Sequence, residues 1–253
     1  MTRANDTKTK IMETAIEAFN EEGATNVSTV QLANKMEISP GNLYYYFYNK
    51  EHLIREIWAT YIKKELIDIV FHKDLALSEN DIISFFSEFL HFVIKYRFFY
   101  RELHILLDND PTLGDLFREH HLEINEKFHE IMGKWTEIGI MRPLNDKQER
   151  VATENLFAFL RTSYCNYVML YNDDDPASFE RTTMNHACAM VFPYMTEPSI
   201  RRMLILLRTR GIIKDEDLDF YPRYSNQPNA TQDMHRNGQN FDIHDPSGHN
   251  TTR

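Results

Sequence analysis

Residues 28–53, STVQLANKMEISPGNLYYYFYNKEHL, constrain the fold more than any other stretch of this chain. They read as two short helices joined by a tight turn, with a third helix following at once. Ser28 is placed to accept from an orphan backbone N–H of the next turn, and Gln31, three residues on, completes a capping box. Leu32 and Met36 lie four apart on one face. Ile38 then fills the angle between the helices. Ser39 is a second N-cap, and Pro40 suits the first helical position, where a missing N–H costs nothing. Leu43 and Phe47, again four apart, point into a core. Gly41, Asn42, Tyr44, Tyr45 and Tyr46 are left facing outward or sideways, because three successive tyrosines on a helix cannot all face inward. Asn49 caps the next helix and Lys50 starts it. A helix with small, polar and aromatic side chains where a buried one carries aliphatics is suited to enter a DNA groove.

Three pieces of this region, Phe19-Asn20-Glu21-Glu22-Gly23, Leu32-Ala33 and Leu43-Tyr44-Tyr45-Tyr46-Phe47-Tyr48-Asn49-Lys50, carry a family pattern. Over residues 8–55 the chain resembles the N-terminal DNA-binding domain of the TetR family of bacterial transcriptional regulators. The resemblance implies that Tyr44 and Lys50 hold the DNA backbone, that Thr29 contacts a phosphate, and that Gly41, Asn42, Tyr45 and Tyr46 face base edges. Side-chain chemistry agrees. Lys is a point charge for phosphate, a Tyr hydroxyl can donate to phosphate, Asn can read adenine, and Gly permits close approach. One position departs from the pattern: Glu37 stands in the turn where the family usually has Gly. If the turn needs positive φ there, a side chain costs roughly 1 kcal/mol.

The net charge of −10 is unusual for a DNA-binding chain. It is unevenly spread: residues 1–55 hold six basic and seven acidic side chains, and most of the acidity lies between 56 and 220. The basic footprint of the DNA-binding region is therefore weak. Salt-dependent binding with few phosphate contacts per subunit is expected. The N-terminus, MTRANDTKTK, lacks the apolar core of a signal peptide, and no run reaches the ~18 apolar residues that span a bilayer, so a cytoplasmic protein is expected. Cys165 and Cys188 have no metal or redox spacing and read as buried thiols.

Apolar periodicity predicts an all-α protein: a three-helix helix-turn-helix domain over residues 1–53, a larger helical ligand-binding and dimerisation domain over 54–212, and a disordered tail over 213–253, rich in Asn, Gln, Pro and Gly. Helices are expected over 7–22, 50–70, 82–96, 100–108, 112–138, 147–171, 178–195 and 198–210. The 147–171 helix is apolar nearly all round, with Val151, Leu156, Phe157, Phe159, Leu160, Tyr164 and Val168. A helix with two apolar faces needs two partners. Family resemblance implies the second is the same helix pair of another subunit, giving a homodimer, as two DNA half-sites require.

No P-loop, Gly-x-Ser-x-Gly or His-Glu-x-x-His is present, and no enzyme activity, cofactor or metal is expected. Adjacent His120 and His121 point about 100° apart on a helix and cannot chelate from one face. The resemblance implies a small-molecule effector held in the larger domain. Candidate lining residues are Phe89, Trp135 and the polar side chains on apolar helices: His91, His104, Arg161 and Tyr164. Arg161 would be costly to bury unpaired, so it meets an acid across the dimer interface or an anionic ligand. The segment 96–103 with Asp110-Pro111 also resembles a C-terminal domain type of family members linked to fatty-acid or polyester metabolism, which implies an elongated apolar ligand. The expected function is a dimeric repressor that such a ligand releases from a double-stranded operator. The alternative is an activator or a ligand-independent regulator of the same family.

Overall fold

The computed structural model describes residues 3–71, 78–172, 175–215, 217 and 221. The described residues up to Ile213 form one compact unit. The expected disordered tail falls almost wholly outside the described residues. Twelve α-helices make up that unit among the described residues, with one isolated bridge between Met141 and Met195.

The first three helices are α1 (Arg3–Glu22), α2 (Thr29–Lys35) and α3 (Pro40–Tyr46). Ile11, Ala15, Ala18 and Phe19 of α1 pack with Leu32, Ala33, Leu43 and Phe47, all at most 2% exposed. Gly23 ends α1 with φ +92°, a conformation that a Cβ would strain.

The expected helix over 50–70 is interrupted. It divides into α4 (Lys50–Ile57), a π turn over Trp58–Ile62, and α5 (Lys63–Phe71). Each end of the turn is continuous with helix, so the deviation is a single wide turn inside one helix. Its Trp58 ring meets the His120 ring edge-on at 5.9 Å.

The larger domain is built around α6 (Glu79–Lys95), capped by Ser78, whose side chain accepts from Asp81 N. Phe85, Phe86, Phe89 and Phe92 line it and are buried. Then follow α7 (Arg97–Arg101), α8 (Leu103–Asn109), α9 (Pro111–Glu137), α10 (Asp146–Tyr171), α11 (Pro176–Val191) with a 3-10 turn Phe192–Tyr194, and α12 (Glu197–Thr209). One helix over 100–108 was expected; the chain instead breaks at Tyr96 and at Glu102. The reason lies outside the segment. Asn20 Oδ1 of α1 accepts from Phe98 N at 3.0 Å, taking an orphan donor of α7's first turn. Glu102 is turned away to serve the α1–α2 turn, as described below.

Candidate nucleic-acid interface

The turn between α2 and α3 is a Schellman motif. Ile38 N donates to Ala33 O at 3.0 Å and Glu37 N to Asn34 O at 3.1 Å, the two bonds that define the motif. Glu37 occupies its left-handed position, with φ +56°. The turn therefore keeps the conformation that favours Gly while carrying a side chain. The caps form as the sequence indicates. Ser28 Oγ accepts from Gln31 N at 3.2 Å and Gln31 Oε1 from Ser28 N at 2.7 Å. Ser39 Oγ accepts from Asn42 N at 3.2 Å, and Asn49 Oδ1 from His52 N at 2.8 Å.

These caps fix the rotation of α3. Leu43 and Phe47 are fully buried, while Tyr45 is 80% and Tyr44 46% exposed. Gly41 and Asn42 are exposed and Tyr46 is half-buried. A Cβ at Gly41 would meet nothing nearer than Ser39 Oγ at 4.0 Å, so no packing within the chain demands a glycine there. Tyr45 and Tyr46 meet edge to face at 5.1 Å. Thr29 Oγ1 and the Tyr44 hydroxyl lie 2.9 Å apart. Two residues fifteen apart in sequence are thereby presented together at the N-terminus of α2.

Lys50 is placed otherwise than as a free phosphate ligand. Its Nζ donates to Ala24 O at 2.6 Å, Val27 O at 3.2 Å and Thr25 O at 3.4 Å. Three carbonyls occupy the three donors an ammonium has. The physical reason is the short α1–α2 turn, whose carbonyls have few backbone donors to pair with. Lys8 pairs with Glu56, Lys35 with Glu22 and Arg55 with Asp110. Four of the six basic side chains before residue 56 are thus engaged within the protein, and the DNA-binding region presents less positive charge than its composition suggests.

The other side of the α1–α2 turn is held by a residue that periodicity did not single out. The Glu102 carboxylate, in a residue only 8% exposed, accepts from Ala24 N at 3.0 Å and Thr25 N at 2.8 Å. A Cβ on Gly23 would lie 2.7 Å from Glu102 Oε1. A second joint runs through Asp110, the N-cap of α9. Its Oδ1 accepts from Leu113 N at 3.2 Å and from Arg55 Nη1 at 2.9 Å. Arg55 Nη2 also donates to the Tyr48 hydroxyl at 2.6 Å. Tyr48, 62% exposed beside α3, stacks on His52 at 4.0 Å. Burial holds the His52 imidazole below its usual range, with Arg55 and Lys8 acting in the same direction.

Family models decide what this arrangement belongs to. The model described as bacterial regulatory proteins of the tetR family matches residues 11–57, and that described as bacterial transcriptional repressor, TetR, matches residues 66–203. The chain belongs to the TetR family of transcriptional regulators. Its helix-turn-helix is 41% identical over 56 residues to the transcriptional regulator UidR of Escherichia coli K12, a match covering 22% of this chain and 29% of UidR. The biofilm-operon negative transcriptional regulator IcaR of Staphylococcus epidermidis is 26% identical over 129 residues, 51% of this chain and 68% of IcaR. A TetR-family regulator of Marinobacter aquaeolei superposes with a TM-score of 0.74 at 25% identity, covering 83% of this chain and 98% of its own. Among the described residues no helix is long and apolar enough to cross a membrane.

In this TetR-family regulator the six expected ligand-lining residues are not gathered in one place. An apolar cleft of about 270 Å³ lies between α9, α10 and α11, with Trp135, Phe86, Phe128 and Met132 among its walls. Trp135, one of the six, lines this cleft. Phe89 sits in the core, its ring 6.1 Å from that of Phe157. His91 and His104 are corrections: both are exposed. His91 follows buried Leu90 and precedes buried Phe92, so its own angular position on α6 faces water; its Nδ1 lies 2.8 Å from Ser87 O. His104 lies on the outer side of short α8. Tyr164 packs edge-on against Phe179 at 5.7 Å. Arg161 Nη1 lies 3.1 Å from His121 Nδ1, between α7 and α9.

A stripe along the outward side of α10 carries Val151, Asn155, Ala158, Thr162, Asn166 and Met169, all exposed and uncharged, with exposed Glu154 at its edge. Met169 is 74% and Leu170 68% exposed. Neighbouring α11 adds exposed His186 and Ala189.

Proposed function

We propose that this regulator is a dimeric repressor, released from a double-stranded DNA operator by a small apolar or amphipathic ligand. The observation that carries the DNA reading is the rotation of α3: Leu43 and Phe47 wholly inward, Gly41, Asn42, Tyr44 and Tyr45 outward. Thr29 and Tyr44 together would grip one phosphate, while Asn42, Tyr45 and Tyr46 address base edges across Gly41. Lys50 supports that surface by holding the α1–α2 turn. Residues 1–53 act as the DNA-binding part and 54–212 as the ligand-binding and dimerisation part, working on DNA in the cytoplasm.

Dimerisation is supported by the outward stripe of α10, where Val151, Ala158 and Met169 stand exposed, apolar groups that a monomer would leave in water. A two-fold pairing there presents two α3 helices to successive major grooves. Repression is supported by the negative regulator IcaR among the relatives. The apolar cleft is close to the size of small-ligand sites, which supports an effector of that character. Release would be a population shift: ligand favours a conformation in which α4 tilts, and both α3 helices no longer fit grooves one turn apart.

A reporter gene placed behind an operator selected from random DNA tests the reading. The protein should lower transcription, and a ligand found by thermal-shift screening should restore it. Transcription raised by the protein would overturn the repressor assignment.

A further inference from the structure

Arg161 sits midway along α10 and points inward, between α7 and α9. Its one hydrogen bond among the described residues goes from Nη1 to His121 Nδ1, although a guanidinium carries five N–H donors. No carboxylate of the described residues pairs with it or lies near enough to perturb it, in a chain with 38 acidic side chains. Tyr100 of α7 is the neighbour whose charge state it feels. Tyr100 is buried. Burial holds that phenol well above its usual range, so it remains an O–H donor.

His121 is fixed as an acceptor. Arg161 can only donate, so Nδ1 accepts and the ring proton is on Nε2. That proton faces Asn125 Nδ2 at 3.2 Å, while buried Asn125 Oδ1 has no partner. With the amide oxygen of Asn125 on the His121 side, that oxygen accepts the Nε2 proton. Burial first, then the charge of Arg161, pushes the His121 pKa down to about 4, so the ring is neutral at pH 7. The row Asn125, His121, Arg161 therefore aims a half-buried cation without supplying an anion. Such a cation is unfavourable unless something compensates it. A partner subunit's acid is poorly placed to do so, because the guanidinium points away from the outward side of α10.

We propose that Arg161 and Tyr100, with His121 orienting the guanidinium, form an anchor for the carboxylate of a small organic effector. The rings of Phe99 and Phe117, 6.1 Å apart, belong to the same two helices, α7 and α9, and give the anchor apolar surroundings. The inference rests on the reading of an effector-released regulator and names the chemical class of that effector, with its anchor apart from the α9–α11 cleft, whose walls include none of these residues. Tyr100 lies two residues ahead of Glu102, which holds the α1–α2 turn, so the anchor is close in the chain to the DNA-binding part.

The test is calorimetric titration of the full chain, without DNA, with benzoate, phenylacetate and octanoate and their primary amides. At least one carboxylate should saturate at one per chain and bind at least about tenfold tighter than its amide, the worth of one charge-assisted hydrogen bond. Arg161→Met should erase that preference and Tyr100→Phe should reduce it severalfold. Ligand-free Arg161→Met should melt no lower than the parent, because it loses an uncompensated cation. Absence of saturable carboxylate binding, a preference that survives Arg161→Met, or an Arg161→Met protein melting several degrees lower would each overturn the anchor. Because no DNA is present, failure here leaves the repressor reading to the reporter experiment.

Discussion

Replacing Glu102 with Ala tests how the DNA-binding helices are held to the rest of the chain. The carboxylate accepts from Ala24 N at 3.0 Å and Thr25 N at 2.8 Å. A hydrogen bond to a charged group contributes about 1.5–3 kcal/mol, and a buried donor left without a partner costs a similar amount. Ala24 is fully buried and Thr25 is exposed, so water recovers much of the second loss. The net cost of Glu102→Ala is then about 3 kcal/mol. In a folded unit of this size each kcal/mol lowers Tm by about 2–4 °C, giving a drop on the order of 10 °C by calorimetry of the ligand-free chain. Glu102→Gln keeps one acceptor oxygen and should lose about half as much. Gly23 supplies an internal control. Gly23→Ala in the parent meets strain at φ +92°, a 2.7 Å approach to Glu102 Oε1 and a 3.2 Å approach to Asn26 Nδ2; in Glu102→Ala the closest of these contacts is gone. The two penalties should therefore be less than additive. A Tm change under about 2 °C for Glu102→Ala, or strictly additive penalties, would refute the reasoning.

Glu37→Gly should stabilise the protein by up to about 1 kcal/mol, since relief of the left-handed strain exceeds the added freedom of the unfolded chain; urea unfolding measures it. The same change removes a negative charge beside α3 and should strengthen DNA binding at low salt. Lys50→Met should cost about 2 kcal/mol in urea unfolding, because carbonyls of the α1–α2 turn lose their donor. The His121 pKa is depressed, so between about pH 6.5 and 4 the unfolded chain takes up a proton that the folded chain refuses. Its contribution is therefore intact above pH 6.5 and is lost as pH falls toward 4; a calorimetric pH series should show a shallower decline for His121→Gln.

What the sequence reveals here is local. Ser28 with Gln31, Ser39 with Asn42 and Asn49 with His52 are caps closed within three residues, so spacing alone identifies them. Leu43 and Phe47 follow from a period of 3.6 residues, and Glu37 stands out against the family's usual Gly. The joints that hold these pieces are long-range. Arg55 meets Asp110 across 55 positions, and Glu102 meets Ala24 across 78, distances at which no periodicity acts. Glu102 does carry a faint signal, as an acid in the run Phe98-Phe99-Tyr100-Arg101-Glu102-Leu103. Lys50 illustrates the limit of residue type: a lysine suits phosphate, yet turn carbonyls lie within its reach. His91 and His104 were placed by the apolar character of their helices, but position around the helix axis decides burial, and both face water.

The most direct test of the central claim is selection of bound fragments from a random double-stranded DNA pool by the full chain, beside Asn42→Ala and Tyr45→Ala. The parent should enrich an inverted repeat with half-sites about one helical turn or a multiple apart. Both substitutions should change or erase the preferred bases within each half-site while the protein keeps its Tm and oligomeric state. No enriched motif, or the same motif from all three proteins, would contradict the assignment of α3 as the helix that reads DNA.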